Sequence, residues 1–433
     1  MSQFAIIQPA TTERNLGGVC YMPYWHYAMF RQKMEPVRLY ENVTMRDWDR
    51  LLELHKKDRL LVDLSSYPQI DFVWSVLPDL VRAKTEFAFI GYEPLIRALG
   101  LPFFKVKNEE LLTGVFGYLQ YFEEYRYGLL SDCDSHLKHL EDGRAVVPLF
   151  LSVGCKRGCP YCYVSGSNYP YGTASDRQID ALLNLCVKQN WNIHFTDENF
   201  FAHPRYRQIV ERLRGTGLRW ICLTDTLSLY RVLGEHGAEW LRGGGNALNE
   251  VGLEVLDSTV LGKQQAIAPL LERRHEVPIF WLTMTFLPRD TLGSMRAMGD
   301  FLRRYGYRLE ELLPRIQTNS TVGGLGQFMQ LYHGTVYWQQ REKLGRVFTE
   351  RPTRLWPSFI GHRLLSSRVR VCETLQKEDE EWLGLYVGKA RVEETLQEVD
   401  GRKTFGEIVG EDMAKAVALA QAARLNLIEE VGG

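Results

Sequence analysis

An apolar run, Val146-Val147-Pro148-Leu149-Phe150-Leu151, is followed almost at once by Val153-Gly154-Cys155-Lys156-Arg157-Gly158-Cys159-Pro160-Tyr161-Cys162-Tyr163. The run has the length and character of a buried strand. Three cysteines in C-x3-C-x2-C spacing therefore stand on the loop that leaves its carboxyl end. Iron–sulfur clusters are held by Cys thiolates, commonly four of them, so a tight trio with no fourth cysteine nearby leaves one iron open to a substrate or cofactor. Gly154 and Gly158 let the backbone wrap closely, while Pro160 and Tyr161 shape the approach between the last two thiols. The rival reading is a zinc or structural cluster site, which usually builds four ligands from two cysteine pairs.

Around this loop the segment from about 140 to 345 alternates strand-like and helical patterns. Ser175, with Gln178 three residues later, forms a capping box, and Ile179, Leu182, Leu183, Cys186 and Val187 make the apolar face of the helix it starts. Further strands are expected at Asn192 to Phe195, Trp220 to Thr224, Glu250 to Val255, Ile279 to Phe286 and near Arg315 to Gln317. Such a series implies a parallel, barrel-like domain with its chemistry at the carboxyl ends of the strands. The first 125 residues alternate in the same way, with strands at Phe4 to Ile7, Leu60 to Leu64 and Phe87 to Gly91, as in an open α/β sheet. After residue 346 the composition shifts. Val399-Asp400-Gly401-Arg402-Lys403-Thr404 reads as a turn, Phe405 to Val409 as the start of a helix, and Met413 to Leu425 as an Ala-rich helix.

At 433 residues the chain is long enough for two or three packed units. A net charge of −1 gives no general attraction for nucleic acid or anionic lipid, so neither is an expected partner. The amino-terminal stretch MSQFAIIQPATTERN lacks a basic region followed by a long apolar one, which makes a cytoplasmic location the expectation. Eight cysteines in this length are not a disulfide framework. They fit a reducing compartment in which thiolates remain available to metal.

The cysteine string resembles the signature loop of the radical S-adenosylmethionine (SAM) superfamily. That resemblance implies a partial (β/α) barrel in which Cys155, Cys159 and Cys162 hold a [4Fe–4S] cluster. Its open iron would bind the amino and carboxylate groups of SAM, and reductive cleavage of the sulfonium would give a 5′-deoxyadenosyl radical. Tyr161 belongs to the same loop and is expected beside the cofactor. Thr196-Asp197-Glu198 stands where the superfamily carries a Gly-Gly-Glu-like motif that contacts the SAM amine, a role open to Asp197 or Glu198. Gly252-Leu253-Glu254 is similar to the fourth-strand motif whose carboxylate, here Glu254, approaches the ribose or methionine end of SAM. The preceding Gly243-Gly244-Gly245 departs from the usual spacing there. TMTFLPRD, Thr283 to Asp290, is similar to the fifth-strand segment, with Arg289 either a SAM or substrate contact or an exposed loop residue. His194 and His203 flank the second-strand motif without a partner spacing that argues for metal.

An α/β domain ahead of such a barrel resembles the cobalamin-binding branch of the superfamily, and Phe89-Ile90-Gly91-Tyr92-Glu93-Pro94 is similar to its Gly-Gly-x-x-Pro turn. The D-x-H-x-x-G motif that supplies the lower cobalamin ligand is absent. Gly17-Gly18-Val19-Cys20 stands in its place, and Asp134-Ser135-His136 comes too late. Cobalamin therefore stands beside the alternative of a Rossmann-like scaffold that shapes the mouth of the site. Tyr21, Tyr24, Trp25, Tyr27 and Phe30 would either cover a flat cofactor or pack between domains. The tail from about 380 resembles the small winged-helix module that recognises leader peptides by strand addition, or forms a structural cap.

The expected organisation is a Rossmann-like, cobalamin-binding-like domain over residues 1–140, a radical SAM barrel over 141–345, and a linker with a winged-helix-like domain over 346–433. The expected activity is a SAM-dependent transferase acting on a small natural product or a peptide, served by a reductant such as flavodoxin or ferredoxin. Methyl transfer through cobalamin leads. The alternatives are cobalamin-independent transfer of the 3-amino-3-carboxypropyl group to a soft acceptor such as trivalent arsenic, with one of Cys20, Cys133, Cys186, Cys222 or Cys372 holding that acceptor, and a non-catalytic peptide-binding partner with a structural cluster. No residue is singled out for acid–base or nucleophilic catalysis.

Overall fold

Short apolar runs separated by helix-forming stretches build two parallel sheets in the computed structural model, which describes residues 4–9, 37–64, 69–107, 142–166, 171–253, 264–273, 275–285, 291–304, 326–328, 334–340, 345–347, 359–361, 368–371, 394–410, 415, 419, 422–423 and 428–431. The first sheet contains β1 (Phe4–Pro9), β2 (Val37–Val43), β3 (Arg59–Leu64) and β4 (Glu86–Gly91), in the order β2-β1-β3-β4. All its neighbours run parallel. Helices α1 (Met45–Leu54), α2 (Ile70–Ala83) and α3 (Glu93–Ala98) connect or follow the strands. The sequence reading missed β2. It is an edge strand whose polar-rich sequence, VRLYENV, lacks the continuous apolar run that marked its neighbours.

Alternation of side chains along these strands sorts them into two layers. Ala5, Ile7, Leu60 and Val62 share a core with Trp48, Leu51, Val73 and Val76 of α1 and α2. Ile6, Leu61 and Ile90 belong instead to the core that continues through the second sheet. The amino-terminal sheet is thus buried on both faces, as parallel sheets generally are.

The second sheet has six strands, β5 (Val146–Leu149), β8 (Asn192–Phe195), β9 (Trp220–Asp225), β10 (Asn246–Leu253), β11 (Ile279–Thr285) and β12 (Gly326–Phe328), all parallel and in chain order. Between β5 and β8 come a small antiparallel ribbon of β6 (Ser152–Val153) and β7 (Gly172–Thr173), the short α4 (Tyr163–Gly166), and α5 (Asp176–Gln189). The later crossovers carry α6 (Tyr206–Leu213), α7 (Thr226–His236), α8 (Ala238–Gly243), α9 (Gln264–Glu272) and α10 (Leu292–Arg304). The capping box of α5 forms as expected, and Ile179, Leu182, Leu183 and Cys186 are buried. Val187 is exposed and lies off that face. The expected strand near Arg315 to Gln317 falls outside the described residues, and β12 lies further along the chain.

Behind β8 and β9, Phe195, Phe200, Phe201 and Trp220 form an edge-to-face and stacked aromatic cluster. The other face of the sheet is lined at its amino end by Val146, Ile221, Ala247 and Leu248. The glycine run closes α8 and enters β10, at the end of the sheet remote from the cysteines. A Cβ on Gly245, whose φ is +90°, would lie 2.2 Å from the Leu218 carbonyl oxygen.

Beyond the barrel, α11 (Val336–Gln339) precedes an antiparallel pair, β13 (Gly345–Val347) with β14 (Phe359–Gly361). A three-stranded antiparallel sheet then follows, in the order β16-β15-β17, from β15 (Arg368–Val371), β16 (Asp400–Thr404) and β17 (Ile428–Glu430), with α12 (Phe405–Val409) attached. The segment expected as a turn, Asp400 to Thr404, is strand β16; the helix after it forms, capped by Thr404 and Glu407. Of the Ala-rich stretch, residues 415, 419, 422 and 423 are described and helical. Arg296 of α10 donates to the Ile428 carbonyl, joining this tail to the barrel. Among the described residues no helix is long and apolar enough to cross a membrane.

The two kinds of glycine predict opposite responses. Gly245→Ala should lower stability by about 2 kcal/mol or more, through left-handed strain and overpacking. Gly234→Ala, in α7 with open space at its Cβ position, should raise it by roughly 0.5–1 kcal/mol. Urea unfolding midpoints of the two variants check both signs.

Candidate functional site

The cysteine loop begins where β5 ends, and its first residues are held by a buried carboxylate from the next strand loop. Asp197 is fully buried. It accepts hydrogen bonds from the Leu151 amide at 3.0 and 3.1 Å and from the Ser152 hydroxyl at 2.5 Å. The Leu151 carbonyl in turn accepts from the Ala174 amide at 2.8 Å. Both backbone groups of Leu151 are thereby satisfied away from water. Burial pushes the Asp197 carboxyl up to about 6, against the hydrogen bonds from Ser152 and Leu151. Nearby, burial pulls His203 down to about 4, so its ring is neutral at pH 7. The ring's Nδ1 accepts from the Arg205 amide at 3.1 Å.

Gly154 at φ 77° and Gly158 at φ 65° turn the loop through left-handed conformations that most side chains avoid. A second anchor reaches it from β9. Arg157 Nε and Nη2 bind the two oxygens of Asp225 at 2.7 and 2.9 Å, and Nη2 also donates to Ser228 Oγ at 3.0 Å. Asp225 caps α7 by accepting from the Ser228 amide at 2.8 Å. Asn199 donates to Asp225 and accepts from Thr224 Oγ1 at 3.0 Å. A third tie comes from α11, where the Tyr337 amide donates to the Pro160 carbonyl at 3.0 Å and the Tyr337 ring lies 6.3 Å from that of Tyr161. Tyr161 is buried beneath that contact.

Cys155 and Cys162 are partly exposed and Cys159 is buried. Burial raises the Cys155 thiol, and the charges of Glu198 and Asp225 add to the rise. Burial pushes Cys162 up to about 12, again with Glu198 contributing. Glu198 is therefore within electrostatic reach of two of the three thiols. The donor set suits a cluster: three thiols on one tight loop, with the Arg157 amide aimed at Cys155 Sγ at 3.5 Å, and a bound cation is what converts such thiols to thiolates. Among the described residues no three Cys, His, Asp or Glu side chains converge as around a single metal ion.

The sequence-derived candidates separate accordingly. Cys155, Cys159, Cys162, Tyr161, Asp197 and Glu198 all stand on the loops that follow the carboxyl ends of β5 and β8. Glu254 and Arg289 lie outside the described residues, as do Cys20, Cys133, Cys372, the aromatic run 21–30 and Asp134 to His136. Gly252 sits level with Asp225 in the sheet register, at the same end. Cys186 and Cys222 are fully buried, which rules them out as an exposed acceptor site. His194 sits 3.6 Å from Glu250, a buried residue of β10. Sequence reasoning missed Arg157, Asn199, Asp225, Ser228 and Ser152. The available signal was Asp225-Thr226-Leu227-Ser228, a helix-capping pattern at a strand end.

Residues 149–302 match the model of the Radical SAM superfamily. Among solved structures, the chain is similar to the cobalamin-dependent S-adenosylmethionine radical enzyme OxsB with aqua-cobalamin bound, at TM-score 0.51 and 13% identity over 83% of this chain and 65% of that one. The apo, selenomethionine-labelled form of OxsB gives TM-score 0.51 and 11% identity over 84% and 64%. Streptococcus suis SuiB bound to S-adenosylmethionine aligns at TM-score 0.29 and 12% identity, over 54% of this chain and 50% of that one. The chain thus spans 65% of the length of OxsB, and the likeness is one of fold. No curated protein sequence matches.

The raised Asp197 carboxyl generates a prediction with a definite sign. A proton held more tightly in the folded chain gives stability that is complete below about pH 4, the unfolded value, and is lost as pH rises through about 6. The difference in unfolding free energy between the parent chain and Asp197→Asn should therefore shift against the parent between those limits, by on the order of 2 kcal/mol. Urea titrations at a series of pH values check it; a pH-independent difference would refute it.

A cysteine loop pinned at the carboxyl ends of a sequentially ordered parallel sheet thus lies inside residues 149–302, the segment that matches the Radical SAM superfamily model, in a chain whose fold is similar to that of OxsB.

Proposed function

We propose that this radical SAM enzyme is a transferase of natural-product or peptide modification, with Cys155, Cys159 and Cys162 holding a [4Fe–4S] cluster. The observation that carries the proposal is the pinned loop, which presents three thiols together with Glu198 beyond the strand ends. Cys155, Cys159 and Cys162 would hold the cluster, which would supply one-electron reduction of SAM. The protein's share is binding, orientation and exclusion of water.

Of the carboxylates beside the loop, Asp197 is engaged by Leu151 and Ser152, and Asp225 by Arg157, Asn199 and Ser228. The charge of Glu198 acts on the Cys155 and Cys162 thiols, and we assign it rather than Asp197 to the SAM amine. Glu254 keeps the role its motif implies, at the ribose or methionine end of SAM, and Arg289 that of a contact to SAM or substrate. Tyr161 closes the loop side of the cofactor.

The domain plan that goes with this reading is 1–140, 141–345 and 346–433. The first sheet would form a cobalamin-binding-like unit, and methyl transfer with cobalamin is the favoured reaction. It is supported by the fold shared with OxsB, itself described as cobalamin-dependent. The three-stranded sheet β16-β15-β17 with α12 would be a winged-helix-like unit, and a flavodoxin or ferredoxin would supply electrons.

Anaerobically reconstituted chain, reduced with dithionite, should cleave SAM, and Cys155→Ala, Cys159→Ala and Cys162→Ala should each abolish cleavage. S-adenosylhomocysteine with 5′-deoxyadenosine as products supports methyl transfer, and 5′-methylthioadenosine opposes it. Added cobalamin should survive desalting with an altered visible spectrum; its complete loss removes the cobalamin version. Glu198→Gln should weaken SAM binding by about tenfold with iron content unchanged, measured by equilibrium dialysis.

A further inference from the structure

Arg157 lies between the first two cysteines, and its side chain is committed elsewhere. A guanidinium has five N–H donors in a rigid fork. Here Nε and Nη2 are spent on Asp225 and Ser228, at 2.7, 2.9 and 3.0 Å. The receiving carboxylate is itself held by further hydrogen bonds. Asp225 caps α7 and accepts from the Ser228 amide at 2.8 Å and the Ser228 hydroxyl at 3.0 Å. Asn199, from the loop after β8, closes the same network and is braced by Thr224. Two strand ends, those of β8 and β9, thus converge on the network that holds one side chain of the cysteine loop. The backbone amide of that same residue points at Cys155 Sγ, 3.5 Å away.

We infer that Arg157 is a positioning residue for the cluster: its two-pronged attachment to Asp225 sets the span between Cys155 and Cys159 and directs an N–H at the first thiolate sulfur. The inference rests on the cluster reading above and adds a role for a residue outside the C-x3-C-x2-C pattern. Arg157 is unsuited to clamp the SAM carboxylate, because its fork already grips Asp225 in the bidentate geometry such a clamp needs. Lysine at this position keeps the charge but not the fork, so the two substitutions separate geometry from electrostatics.

The test uses the full chain, reconstituted anaerobically, with Arg157→Gln, Arg157→Lys, Asp225→Asn and the double variant Arg157→Gln/Asp225→Asn. Iron and sulfide per chain after desalting, the rate of iron loss to a chelator, and the midpoint potential of the cluster are measured beside the urea unfolding midpoint. Outer-shell partners of metal ligands typically carry effects of about tenfold or more. Arg157→Gln and Arg157→Lys should both lose iron about tenfold faster than the parent with a displaced potential, and the double variant should be no worse than Arg157→Gln alone. Should Arg157→Gln fail to fold, Asp225→Asn decides, because asparagine caps a helix as well as aspartate does. Parent-like iron retention and potential in the folded variants would overturn the inference. A parent chain that takes up no iron would instead overturn the cluster reading itself.

Discussion

The junction between β5 and the cysteine loop sets the terms for everything at the carboxyl face of the barrel. The chain leaves a buried strand while still surrounded by side chains, so the Leu151 amide and Ser152 hydroxyl have no access to water. Asp197 satisfies both from the neighbouring strand loop. Taking a carboxylate out of water is costly, and the cost shows in a carboxyl pushed up to about 6. A loop anchored there begins its turn from a fixed point. From that point Gly154 and Gly158 bend it, and Arg157 and Pro160 tie it to β9 and α11.

The division of labour among the acidic residues follows from the same constraint. Asp197 and Asp225 hold backbone and guanidinium groups and so build the site. The charge of Glu198, adjacent to one of them in sequence, adds to the rise that burial gives the Cys155 and Cys162 thiols. The amino-terminal sheet adds a second layer, since Ile6, Leu61 and Ile90 belong to the barrel's own core.

Much of this was legible from sequence because it is written in local patterns. The cysteine spacing, the strand before it, the capping box at Ser175 and four of the later barrel strands depend on neighbouring residues. Strand β2 was hidden because an edge strand tolerates polar residues, and β16 because Asp400-Gly401 carries turn chemistry. Val187 fitted the helical period yet fell just outside the buried arc. The structural engagement of Asp197 was invisible for a different reason. It depends on Leu151 and Ser152, some 45 residues away in the chain. The Arg157–Asp225 clamp spans 68 residues and belongs to the same class of long-range fact.

The central claim is that the three thiols hold a cluster with one iron open to SAM. Electron paramagnetic resonance of the reconstituted, dithionite-reduced chain, recorded with and without SAM, tests it most directly. The account predicts the signal of a reduced [4Fe–4S] cluster whose g values shift when SAM is added, because SAM binds the iron that no cysteine occupies. A cluster signal that SAM leaves unchanged would contradict it.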